Sequence, residues 1–120
     1  MTTRNRFPPL WLIFVLAAGV ALVFALYTNH VWEDYYITYR SSKNLAMGHG
    51  LVFTPGERVH SFTSPLGVML PALASVLTGV NSDAAALGVF RVMGAAALAG
   101  AVCLLFQGML RLGGSRTAAW

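Results

Sequence analysis

Glu33 and Asp34 are adjacent carboxylates close behind an uninterrupted apolar run. A carboxylate accepts a proton from a hydroxyl held against it, and one placed just outside a hydrocarbon layer can do so for a substrate presented at a membrane interface. Cations are within reach in the sequence. Arg40 carries a planar, permanently charged guanidinium, and Lys43 adds a compact positive charge. Arg91, at the edge of another apolar run, is a third cation of the same kind. His30, His49 and His60 with the two acids supply donors for a divalent cation, but their spacing fits no fixed ligand motif. Proton abstraction at a membrane surface, with cations nearby, is the chemistry these residues suggest.

The elements that must position them follow from the apolar pattern. Leu10 to Tyr27 is a continuous apolar stretch preceded by Arg4, Arg6 and the pair Pro8-Pro9, and proline suits a helix start because its missing amide would be unpaired there anyway. Eighteen residues at a helical rise give roughly 27 Å, close to the hydrocarbon thickness of a bilayer. The stretch ends without the small-x-small site of a cleaved signal peptide, so it reads as an uncleaved signal anchor. Val92 to Leu110, bounded by Arg91 and Arg111, is the second span, within a helical segment over 84–110. Its alanines and glycine recur at four-residue spacing, Ala95 with Ala99 and Ala96 with Gly100, which lets another helix backbone approach closely.

Residues 64–80 are apolar but short and interrupted by Pro65, Gly67 and Pro71, which favours an interfacial or re-entrant helix over a third crossing. Two crossings return Arg111 and Arg116 to the side of Arg4 and Arg6, as the positive-inside bias prefers; three would not. The reading is thus a basic cytoplasmic amino terminus over 1–9, a span over 10–27, an external loop over 28–63, the short helix, a span, and a basic end over 111–120. Within the loop, Asp34 is placed to cap a helix running to Met47, with Gly48 ending it. Glu33, Ile37, Arg40 and Asn44 then share one stripe of that helix. Leu51–Thr54 and Val59–Phe62 around Pro55-Gly56 predict a short hairpin or two extended pieces about a type II turn. Tyr35, Tyr36 and Tyr39 read as an interfacial aromatic belt.

Composition agrees with a bilayer and excludes other classes. Hydrophobic residues make up 57% of the chain and charged ones 10%, with a mean hydropathy of +0.65, too apolar for an ordinary soluble domain. The net charge of +4 does not point to nucleic acid, because the eight Lys and Arg residues are scattered and several flank apolar runs. Cys103 stands alone in an apolar run, so an intrachain disulfide is impossible.

The string Glu33-Asp34, Ile37-Thr38-Tyr39-Arg40, Asn44-Leu45, Gly48-His49-Gly50-Leu51-Val52-Phe53, Pro55-Gly56-Glu57-Arg58-Val59 and Thr63-Ser64-Pro65-Leu66 resembles the first external loop of GT-C membrane glycosyltransferases. The likeness is to actinobacterial terminal arabinofuranosyltransferases and related mannosyltransferase-like enzymes. The acidic pair is Glu-Asp where Asp-Asp is common, His60 stands where an acid is frequent, and Gly67 replaces a bulky residue. The resemblance implies an all-α, polytopic integral membrane fold, of which this chain would be an amino-terminal fragment in the cytoplasmic membrane of a bacterium. It further implies inverting transfer of a sugar from a polyprenyl-phosphate donor to a glycan or lipid acceptor on the extracytoplasmic side. Asp34 would be the general base with Glu33 beside it, Arg40, Lys43 and Arg91 would contact the donor phosphate, and Tyr39, Asn44, Gly48, His49, Gly50, Thr63, Ser64 and Pro65 would form the loop motif. The alternative is a small non-catalytic membrane subunit or scaffold whose external loop binds a partner.

Overall fold

A computed structural model describes residues 7–31, 33–57, 62–80 and 82–117. The described chain is all-helical: α1 (Leu10–Thr28), α2 (Glu33–Ala46), α3 (Pro65–Leu77) and α4 (Asp83–Thr117). Arg4, Arg6, Arg58, Val59, His60, Ser61 and the last three residues lie outside the described residues. The molecule divides into two units, residues 28–92 and a second made of 1–27 with 93–120.

In the second unit, α1 and the distal part of α4 are long and apolar enough to cross a bilayer. α1 is apolar all round and has no buried residue, the composition of a helix whose solvent is hydrocarbon. Ala95 and Ala99 of α4 are buried, while Leu104 and Leu105 between the polar ends are exposed. Phe7 meets Phe106 edge to face with centroids 6.3 Å apart, and the Cys103 thiol donates to the Leu10 carbonyl at 3.5 Å. The 35 residues of α4 run to about 52 Å, well past Arg91 and Arg111. Charge ends the apolar run there but not the helix, since arginine is a good helix former.

Residues 28–92 build a different kind of core, around α2 packed on α3. Tyr39, Ser41, Ser42 and Asn44 from α2 are buried with Val68, Pro71, Ala72, Ala74 and Ser75 from α3. Small side chains let the two backbones approach, and their hydroxyls are satisfied locally: Ser42 donates to the Thr38 carbonyl and Ser75 to that of Pro71, each at 3.0 Å. Pro65 and Gly67 do not interrupt α3 but start it. Ser64 is the N-cap and accepts from the Gly67 amide at 3.2 Å, with Pro65 in the first turn where no amide is needed. A β-carbon at Gly67 would come within 3.3 Å of the Ser64 side chain, so the cap favours glycine there. Pro71 is carried inside the helix. At 13 residues α3 is about 20 Å long, short of a bilayer.

One expectation for the loop needs correction. α2 begins at Glu33, so Asp34 is not the cap but the second residue of the helix. The described half of the proposed hairpin, 51–57, contains no strand, and residues 58–61 lie outside the described residues. The physical reason is visible in the first arm: the Val52 and Phe53 carbonyls both accept from the Asn44 amide at 2.9 Å instead of from a ladder partner. The turn itself is present, with the Glu57 amide donating to the Thr54 carbonyl at 3.1 Å and Gly56 at φ +92°, the positive φ that a type II turn requires.

Candidate functional site

α2 carries the acids and two of the three cations singled out above. Glu33 and Asp34 occupy its first turn and both are exposed. The aligned peptide dipoles place partial positive charge at that end, which favours carboxylates there. The other end closes through paired bonds, Gly48 amide to Leu45 carbonyl at 3.0 Å and His49 amide to Asn44 carbonyl at 2.9 Å, with Gly48 at φ +81°. That left-handed residue ends the helix, and glycine adopts it without a β-carbon clash. The motif residues Gly48, His49 and Gly50 therefore shape the exit from α2, while Ser64 and Pro65, just after the exposed Thr63, shape the entry to α3.

The stripe Glu33, Ile37, Arg40, Asn44 does a second job. Asn44 is buried and holds the loop through the Val52 and Phe53 carbonyls, and the Arg40 guanidinium carbon stands 4.7 Å from the centre of the Phe53 ring. Arg40 remains exposed beside that ring, so its charge faces solvent as well as the aromatic face. It is the one cation of the three that the geometry leaves on the same stripe as an acid.

Lys43 and Arg91 are engaged elsewhere. Lys43 contacts the Asp83 carboxylate at 2.6 Å, and this hydrogen bond raises the ammonium above its ordinary range. Tyr39 donates to the same Asp83 oxygen at 3.1 Å and lies 3.4 Å from the Ser75 hydroxyl, so one carboxylate oxygen joins α2 to α4 and Tyr39 extends the contact to α3. Burial pushes the Tyr39 phenol upward. Burial also raises Tyr35, with Tyr39 and Tyr36 adding to the effect; the Tyr35 hydroxyl is buried and has no hydrogen-bond partner among the described residues. Tyr35 stacks on Tyr39 with centroids 5.4 Å apart, meets Tyr36 edge-on at 5.6 Å and lies 5.3 Å from Phe90. Instead of a belt of three equivalent rings, Tyr39 is core, Tyr35 is its lid and Tyr36 is 57% exposed. Arg91, well inside α4, donates from both terminal nitrogens to the Asn29 side-chain oxygen at 3.1 Å.

Sequence reasoning passed over Asp83, Ser75 and Asn29. Ser82-Asp83 does carry a local signal, a helix start, and Ser82 accepts from the Ala85 amide at 3.2 Å as such a residue should. Nothing local announces the partnership of Asp83 with Lys43, forty residues away. Among the described residues no three of His, Cys, Asp and Glu gather as a metal site; His60 is not among them. Compared with family models, with curated proteins and with solved structures, the chain matches none of them.

Proposed function

We propose that this chain contributes the first extracytoplasmic loop and its flanking spans to a GT-C-type glycosyltransferase of the bacterial cytoplasmic membrane. The observation that carries the reading is the exposed pair Glu33 and Asp34 in the first turn of a helix that follows a membrane-length apolar helix almost directly. On this reading the Asp34 carboxylate takes the proton of an acceptor hydroxyl, the hydroxyl oxygen bonds to the anomeric carbon, and the bond from that carbon to the polyprenyl phosphate breaks. The phosphate leaves with the electron pair and configuration inverts. Arg40 stabilises the departing charge. Sugar donor, glycan or lipid acceptor and bilayer are the partners; α3 lies at the interface instead of crossing it.

A second reading is favoured by the engagement of Lys43 with Asp83 and of Arg91 with Asn29. Two of the three cations wanted for phosphate serve internal contacts, as they would in a membrane subunit or scaffold. Asp34→Asn separates the two. The amide keeps size and hydrogen-bonding capacity but loses basicity, and a general base contributes about 100-fold to 10,000-fold in rate. Membranes carrying this variant should lose glycan transfer by at least that lower factor while inserting the protein normally; transfer within a factor of about two of wild type would remove the assignment and leave the scaffold.

A further inference from the structure

α3 is built inside out for a helix in water. Its one polar side chain, Ser75, is buried beside Tyr39 of α2, and Val68, Pro71, Ala72 and Ala74 are buried with it. Leu66, Met69, Leu73, Val76 and Leu77 are instead each between 48% and 66% exposed. At the helical turn per residue these five fall on one stripe about 100° wide, on the side opposite the buried set. A helix facing water carries the reverse pattern. No Asp, Glu, Lys or Arg occurs between Arg58 and Asp83, so no charge borders this stripe along the chain. An ordinary helix lying on a membrane brings its own charged face. Here α2, packed on α3, brings it, with Glu33, Asp34 and Arg40 exposed.

Five side chains are too few to hold a second copy, because a standard protein interface uses about 20–30 residues on each side. The chain itself indicates the occupant. The 28–92 unit continues at Thr28 into α1 and at Val92 into the rest of α4, both helices long and apolar enough to cross a bilayer, so covalent continuity keeps it at a membrane surface. We infer that α3 lies lengthwise in the surface of that leaflet, with its outer stripe against acyl chains and α2 on its water side. Packed helices stand roughly 8–10 Å apart, so the pair holds Glu33 and Asp34 about one helix layer above the acyl boundary. The inference rests on the interfacial placement of α3 given above and adds the face that meets lipid and the helix that shields the other; it uses no step of the transferase reading.

The test places single cysteines by Leu66→Cys, Leu73→Cys, Leu77→Cys, Ile37→Cys and Leu104→Cys in a Cys103→Ala background. Each full chain is labelled with a nitroxide and reconstituted in phosphatidylcholine liposomes. Power-saturation electron paramagnetic resonance then compares collisions with oxygen, which dissolves in hydrocarbon, and with a nickel chelate, which stays in water. Positions 66, 73 and 77 should keep oxygen collisions, lose those with the chelate and read one common depth, shallower than position 104. Position 37, on α2, should meet the chelate. All five native side chains are exposed, with helicity by circular dichroism as the folding control; Met69→Cys and Val76→Cys, on the same stripe, replace any variant that loses helicity. Chelate collisions along the stripe would put it in water, and exclusion of both reagents would show protein covering it. A depth gradient from 66 to 77 would make α3 a crossing helix, and chelate collisions at 104 would remove the bilayer; any of the four overturns the docking.

Discussion

The 28–92 unit and the unit of α1 with distal α4 are held together by opposite means. In the first, Ser41, Ser42, Asn44 and Ser75 are buried at the centre and the Tyr39, Asp83 and Lys43 contacts cross between helices. In the second, alanines form the buried positions and large apolar side chains point outward. The difference teaches what each part expects around it. A helix that exposes Leu, Val and Phe on every side needs an apolar solvent, whereas a core of hydroxyls and amides keeps its shape through partners that water would otherwise supply.

The sharpest way to break that comparison is to replace one side chain in each unit, a buried one in the first and an exposed one in the second. Ser75 is 0% exposed and Leu105 is 69% exposed. Ser75→Leu forces α2 and α3 apart and should cost about 1–3 kcal/mol or more, while Leu105→Ala should stay within about 0.5 kcal/mol. Reversible unfolding in mixed micelles measures both; equal effects would erase the distinction between the units.

Asn44→Ala comes next. It removes the donor to the Val52 and Phe53 carbonyls, leaving half-buried acceptors unmet at about 1–3 kcal/mol. Amide hydrogen exchange should rise over 51–57 while α1 keeps its protection. Unchanged exchange in that loop would show that Arg40 against Phe53 suffices to hold it.

Alkaline pH is the gentlest probe. Tyr35, Tyr39 and Lys43 all have folded values above their ordinary ones. A group whose folded value is raised contributes stability that is fully present below its unfolded value, about 10 for phenol and 10.4 for lysine, and that is lost as pH climbs through the folded value. Near-ultraviolet circular dichroism of the tyrosines should therefore hold through neutral pH and fall only above about pH 10, in the 28–92 unit first. Loss of that signal near neutrality would contradict it.

Much of this architecture was legible because it rests on local physics. The apolar lengths around Leu10 and Val92, the terminating Gly48 and the Pro55-Gly56 turn each follow from a few consecutive residues, and the structure places helices and turn there. Leu51–Phe53 has strand-like composition but forms no strand, because the Val52 and Phe53 carbonyls are claimed by Asn44 from a preceding helix. The partners of Lys43 and Arg91, Asp83 and Asn29, went unread because they are forty and sixty-two residues distant in sequence. Side-chain pairing over such separations leaves no periodic trace. The exposed acids were legible by position alone, and their chemistry is what the Asp34 variant examines.

All of the proposed chemistry depends on the 28–92 unit facing the extracytoplasmic side. The most direct measurement is labelling of intact cells with a membrane-impermeant thiol reagent, using Glu57→Cys and Arg116→Cys singly in a Cys103→Ala background. Glu57 lies in the exposed turn after α2, and Arg116 near the far end of α4. Two crossings predict labelling at position 57 and protection at 116 until the cells are opened. Protection at 57 would contradict the account, because a loop on the cytoplasmic side could not meet a lipid-linked donor presented on the outer face.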